Sequence, residues 1–177
     1  MSTSFTKFFD LDRCYSISRV PVDNGKELVI FELHMSAYGN SDAVREGQIR
    51  MLREDMQKEY EAGNYVICGG DFNHDLKVVE EDGKDQEPES WAHPFPRAEL
   101  PEHFSFCLDQ FSAEEKEKLW NSARNADRPY VPGETYTVTL DGFIISDNVE
   151  CVKYENVNTG YSYSDHDPVY MEFQLKK

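Results

Sequence analysis

Residues 65–75 read YVICGGDFNHD, a short apolar run closed by two glycines, an aspartate and an asparagine. So short and continuous an apolar run predicts a strand over 65–68 buried on both faces, the pattern of a central strand in a sheet. Gly69 and Gly70 free the backbone just before Asp71 and so set that carboxylate at a strand end. Asp71 and Asn73 are two residues apart, with Asp75 continuing the series. In extended chain their oxygens fall on one side, where a hard divalent cation would suit them. An EF-hand loop also begins D-x-N-x-D, but here its sixth position is Leu76 instead of Gly, its twelfth is Asp82 instead of Glu, and a strand precedes it. A polar turn, in which Asp71 and Asn73 merely satisfy backbone donors, fits these residues equally well.

On the N-terminal side, β-rich runs at 14–22 and 27–35 are separated by Asp23, Asn24, Gly25 and Lys26, and Asn-Gly is a strong hairpin signal. Ser41 is placed to cap a helix of roughly residues 42–62, with Val44, Ile49, Leu52, Met56 and Tyr60 as its apolar stripe and Gly63 as its stop. On the C-terminal side, residues 78–110 are acidic and proline-containing, which predicts a long surface loop with little regular structure. Ser112 and Glu115 have capping-box spacing for a short helix ahead of Leu119 and Trp120. Strands are expected over 136–146 and 149–155, joined by an Asp147-Asn148 turn. A last strand starts at Val169, where Val169, Met171, Phe173 and Leu175 alternate with Tyr170, Glu172 and Gln174. No repeat or linker divides the chain, so one domain over 1–177 is expected.

The 177 residues suffice to bury a core, and an aromatic content of 13% argues against disorder. Nothing approaches the roughly 18–20 consecutive apolar residues of a membrane span. The stretch MSTSFTKFFD lacks the basic start and apolar run of a signal peptide, so a cytoplasmic location is expected. Cys14, Cys68, Cys107 and Cys151 show no C-x-x-C spacing, which predicts free thiols in a reducing compartment. Acids outnumber bases 34 to 18, for a net charge of -16. That sign repels nucleic acid duplexes unless basic residues or bound cations are focused at one site, and it favours a bound divalent cation.

Ser164, Asp165, His166, Asp167 and Pro168 stand at the doorstep of the last strand. Neighbouring side chains diverge in extended chain, so these residues cannot hydrogen-bond in series, and a basic His166 needs an orienting carboxylate from elsewhere. Asp141, in LDGFII, is an acid in an otherwise apolar strand, and a buried acid is costly unless paired. The plainer reading of 164–168 is a strand-start turn with a solvated histidine and with Asp167 as a turn residue. His34, ending LVIFEL, reads alone as a rim histidine and gains weight only in company.

In order along the chain, H-M-S at 34–36, G-D-F-N at 70–73, L-D-G-F at 140–143 and S-D-H-D-P at 164–168 together resemble the endonuclease/exonuclease/phosphatase superfamily, the deoxyribonuclease-I-like fold. The resemblance runs from about Arg13 to the end and matches the C-terminal part of the family's domain. It implies an α+β fold, a four-layer α/β/β/α sandwich, incomplete at the N-terminus. By the same resemblance His34 binds or protonates the scissile phosphate, Asp71 holds a metal or orients water, and Asn73 hydrogen-bonds the phosphate. Asp141 orients His166, His166 is the general base or a phosphate partner, and Asp165 ligates the metal. Arg13 is a further candidate for a phosphate contact.

The implied cofactor is Mg2+ or Mn2+, and the implied activity is hydrolysis of a phosphomonoester or phosphodiester. In-line attack on phosphorus needs an activated water, a cation on the non-bridging oxygens and a proton for the leaving group. The charge favours a small phosphate ester over duplex DNA. The family's early Asn and its metal-ligand Glu have no counterpart before His34; the one Q-E pair, Gln86-Glu87, falls in the acidic loop. That departure leaves two expectations. One is an enzyme whose uncovered apolar face and bare strand edges pair two copies into a homodimer; the other is a catalytically inactive half-domain serving in assembly or existing as a fragment.

Overall fold

The structure is a computed structural model that describes residues 14–37, 42–79 and 92–176. Arg13, the Ser41 cap and the Gln86-Glu87 pair lie outside the described residues.

The Asn-Gly signal forms the expected hairpin. Strand β1 (Tyr15–Pro21) runs antiparallel to β2 (Glu27–His34), with Gly25 at φ 79° in the turn and Val22 N donating to Lys26 O at 2.8 Å. Helix α1 (Asp42–Glu61) follows and buries Ile49, Leu52 and Met56, stopping before Gly63 at φ 81°. Val44 is exposed, contrary to the expected stripe. Five residues separate it from Ile49, which turns it about 140° away from that side chain and off the buried line.

The apolar run then becomes β3 (Tyr65–Asp71), which ends on Asp71 as expected. It is the middle strand of a five-stranded sheet ordered β1-β2-β3-β7-β4, where β4 is Phe104–Phe106 and β7 is Asp141–Ser146. It pairs parallel with β2 and antiparallel with β7.

The loop expected over 78–110 is more structured than its composition suggests. Its described part holds β4 and 3-10 turns at Arg97–Glu99 and Cys107–Gln110. The cause is apolar burial: Phe95, Phe104 and Phe106 are all buried, and the Phe72, Phe95 and Phe106 rings pack edge to face with centroids 5.0–5.8 Å apart. The single strand expected over 136–146 is also broken. Helix α2 (Ala113–Lys118), capped by the Ser112–Glu115 box, leads to β5 (Ala123–Arg124), which pairs with β6 (Thr137–Val138). Thr139 and Leu140 then give their carbonyls to Leu76 N and Phe72 N, each at 2.9 Å, before β7 joins the main sheet.

Strands β8 (Val149–Asn156) and β9 (Val169–Leu175) form a second, two-stranded sheet. The two faces of the main sheet are covered differently. Tyr15 and Arg19 of β1 hydrogen-bond to Asp55 and Glu59 of α1 on one side. On the other, Tyr65 Oη donates to Lys176 O at 2.9 Å, and Phe143 meets Tyr154 edge to face. Val169, Met171 and Leu175 are half-buried on the expected face of β9, but Phe173 is 38% exposed. Helix, sheet and smaller sheet are thus three layers of one core, with the second sheet only partly covered.

Gly70 lies where this packing is tightest, at φ 138° and with a Cβ position 2.0 Å from Leu33 O. Gly70→Ala is therefore expected to cost at least about 2 kcal/mol. Gly47, inside α1, meets nothing within 4 Å beyond its own helix. Gly47→Ala should gain up to about 1 kcal/mol, and urea melts of the two variants measure both signs.

Candidate active site

Strand register brings three of the sequence candidates into one row. His34 of β2 is opposite Asp71 of β3, and Asp71 is opposite Asp141 of β7. Residues directly opposite one another point to the same face of a sheet, so the three side chains emerge together. The face is the one carrying Tyr65 and Phe143, and the row is at its end. His34 Nε2 lies 3.4 Å from Asp71 Oδ2, and its side chain is 45% exposed against 16% for Asp71.

His166 joins the row from a distant segment. Its Nδ1 is 2.8 Å from Asp141 Oδ2. An ionised carboxylate only accepts, so Nδ1 donates and Nε2 is left for a reacting group. The backbone explains how His166 gets there. Asp167 N donates to Ser122 O at 2.7 Å, Arg124 N donates to Asp165 O at 3.0 Å, and His166 bridges to Ala123. Ser122, fully buried, also holds Asp141: its Oγ donates to Asp141 Oδ2 at 2.7 Å and accepts from Leu140 N and Asp141 N, each at 3.0 Å. One serine therefore ties the carboxylate, its strand and the histidine segment together.

Sequence reasoning missed Ser122, which stands in NSARN without a motif around it. It also took Asp167 for a plain turn residue. Asp167 is 3% exposed and accepts from Trp120 Nε1 at 2.8 Å, Thr159 N at 3.1 Å and Tyr161 N at 3.3 Å, as well as from Thr159 Oγ1. These bonds hold its carboxyl below the ordinary carboxylate range despite burial. Asp167 braces the loop from which Asp165 and His166 project.

The extended Asp71-Asn73-Asp75 series is not what forms. Asn73 takes φ 49°, and Asp71 Oδ1 accepts from Asn73 N at 2.8 Å, so the chain turns instead of continuing. Asp75 Oδ1 accepts from Lys77 N at 2.9 Å, and its backbone bridges to Pro94, away from the row. Asn73 is buried, and its Nδ2 donates to Met35 O at 2.7 Å and to Asp71 Oδ2 at 3.2 Å. Both amide hydrogens are therefore engaged within the protein, clamping the end of β2 to the end of β3.

The charges are mutually opposed. Burial first, and then Asp141 as a like charge, push the Asp71 carboxyl up, while the Asn73 backbone bond and the two imidazoles pull it down. For His166 the Asp141 hydrogen bond dominates and raises its proton affinity against the effect of burial, with Asp71 and Asp165 adding to it. Asp165 is half-buried and its Oδ1 accepts from Ser164 Oγ at 3.2 Å.

The Mg2+ or Mn2+ implied by the motifs does not fit the described residues by themselves. Among them no group of three or more His, Cys, Asp or Glu is placed to hold a metal ion. Both Asp71 oxygens already accept bonds from Asn73.

The sequence matches no protein-family model and no curated protein. Solved structures do match it. Mannosyl-6-phosphatase from Bacteroides thetaiotaomicron VPI-5482 aligns with a TM-score of 0.58 at 18% identity, over 92% of this chain and 57% of its own. D. rerio TDP2, solved with a single-strand DNA product, gives a TM-score of 0.58 at 19% identity, over 94% and 63%. An endonuclease/exonuclease/phosphatase family protein from B. thetaiotaomicron gives 0.57 at 19%, over 91% and 56%. The chain has the α+β, deoxyribonuclease-I-like fold of the endonuclease/exonuclease/phosphatase proteins. It spans 56–63% of the length of these three structures, consistent with the C-terminal portion that its motifs resemble.

Two variants test the geometry without any assay of function. In Asp141→Asn the imidazolium of His166 loses its main stabiliser, so the His166 titration followed by NMR is expected to move to lower pH; an unmoved midpoint would show that the pair does not form. Ser122→Ala leaves buried backbone donors without a partner and should cost about 1–3 kcal/mol in a urea melt.

Proposed function

We propose that this chain carries the catalytic face of a divalent-metal-dependent phosphoesterase. The observation that supports it is the single row of His34, Asp71 and Asp141, with His166 hydrogen-bonded to the last of them. His166 Nδ1–H is held by Asp141, so Nε2 takes a proton from the attacking water when the imidazole is neutral, and pairs with a phosphate oxygen when it is charged. His34, exposed at the edge of the row, binds the phosphate or protonates the leaving oxygen. Asn73 acts first by positioning Asp71; a direct phosphate bond from its amide would require giving up the bond to Met35 or Asp71. Arg13 stays a candidate phosphate contact from the resemblance alone.

The metal would take Asp71 and Asp165 as carboxylates, an incomplete set needing a further donor from outside the described residues, and no step here is routed through it. The net charge of -16 favours a small phosphate ester over duplex DNA. It also makes a cation that screens the Asp71, Asp141 and Asp165 carboxylates valuable. The thiols of all four cysteines are free, which supports a reducing, cytoplasmic setting. Among the described residues no helix is long and apolar enough to cross a membrane.

A second reading, an inactive domain that serves in assembly, is favoured by the absence of a three-ligand metal group among the described residues. Under either reading two copies pair through the open apolar surface, with Val20 47% and Phe173 38% exposed on strands β1 and β9.

Hydrolysis of a generic aryl phosphate ester by the 177-residue chain with Mg2+ or Mn2+ decides between the readings. The enzyme reading predicts turnover that EDTA removes and that His166→Ala lowers by at least about 100-fold. Activity should rise with pH through a midpoint above the ordinary histidine value, since Asp141 keeps His166 protonated longer. No turnover with either metal supports the inactive domain. Light scattering at tens of micromolar should report a dimer, and a monomer there would end the pairing proposal.

A further inference from the structure

Three sulfur atoms meet where the main sheet turns into the smaller one. Cys107 starts the 3-10 turn that follows β4, and its Sγ donates to Met171 Sδ of β9 at 3.2 Å. Cys151 on β8 lies beside the Cys107 thiol, and its own Sγ donates to Lys153 O at 3.6 Å. Gln110, one 3-10 turn beyond Cys107 and so on the same side, donates from Nε2 to Cys151 Sγ at 3.5 Å. The sheet register is consistent with this meeting: Cys151 is opposite Phe173, which places Met171 two residues along the same face. Cys107 is 2% exposed, whereas Cys151 is only half-buried.

We propose that Cys107 and Cys151 form a peroxide-responsive thiol pair, with Cys151 the attacking residue and Cys107 the resolving one. Cys151, the accessible member, attacks one oxygen of hydrogen peroxide as thiolate. An S–O bond forms, the O–O bond breaks, and hydroxide leaves to collect the displaced proton as water. The Cys107 sulfur then attacks Cys151 sulfur. The S–S bond forms, the S–O bond breaks, and the Cys107 proton leaves with that oxygen as a second water. Two thiols have lost two electrons and the peroxide has gained them.

Burial suits Cys107 to the second role. It pushes the thiol well up, so Cys107 keeps its proton and does not react with oxidant itself. A disulfide is neutral, which an apolar pocket of Met171, Tyr154 and Leu108 tolerates better than a thiolate. The bond would join the end of β4 to β8 and so fasten the two sheets to each other. It does not depend on the phosphoesterase reading.

The test is peroxide treatment of the full chain carrying Cys14→Ser, which removes an exposed thiol that could link molecules. Non-reducing peptide mapping is expected to find a Cys107–Cys151 linked pair, two thiols lost, and both recovered with dithiothreitol. In Cys107→Ser the oxidised Cys151 should persist as a sulfenic acid that dimedone traps. In Cys151→Ser, a half-buried position that folding tolerates best, Cys107 should stay reduced. A reduced Cys107 in the peroxide-treated parent would overturn the proposal, whether Cys151 remains a thiol or proceeds to sulfinic acid. So would oxidation of Cys107 in Cys151→Ser.

Discussion

The carboxylate of Asp141 is the group on which the rest of the site depends. It starts β7 beside Asp71 on β3, about one strand spacing of 4.8 Å away and on the same face. Two acids that close, both largely shielded from water, oppose folding unless something neutralises them. A protonated His166 does so for Asp141, Ser122 donates a hydrogen bond to the same oxygen, and the His166 segment is itself held down by the backbone of residues 122–124. The loop from Asn156 to Pro168 and the strands β3 and β7 are therefore coupled through one carboxylate. Such a pair of acids brings no evident gain in packing, which marks it as a candidate functional feature.

The fold was legible in the sequence wherever one physical signal dominated. The continuous run at 65–68 did specify the central strand, Asn24-Gly25 did form its hairpin, and the Ser112–Glu115 box did cap its helix. Composition misled at 92–110, where proline and acidic residues suggested a loose loop. Three phenylalanines in the same stretch pack into the core, and their burial outweighs the flanking charge. Periodicity misled at Val44, because a single apolar residue before a helix's buried stripe need not share its angle.

The site was legible as a set of residues but not as a mechanism of placement. His34, Asp71, Asp141 and His166 could be named from four short motifs, since each carries a chemical type at a strand end. The first three are aligned by register and His166 is brought to them by the backbone of residues 122–124, neither of which a single motif encodes. Ser122 was invisible for a related reason: a serine is common, and its importance arises only because three groups converge on its Oγ from 18 or 19 residues away. The partners of Asn73 were equally hidden: its amide bonds Met35 O and Asp71 Oδ2, contacts that no short motif encodes.

The central claim is that His34 and His166, carried by segments far apart in sequence, serve one phosphate-binding site. Titrating inorganic phosphate while following the imidazole resonances of the histidines by NMR tests it directly. The account predicts that His34 and His166 shift together along one binding curve, while His103, which is paired with Asp147 on another part of the surface, stays put. Separate curves for His34 and His166, or phosphate shifts at His103 and at neither of them, would contradict it.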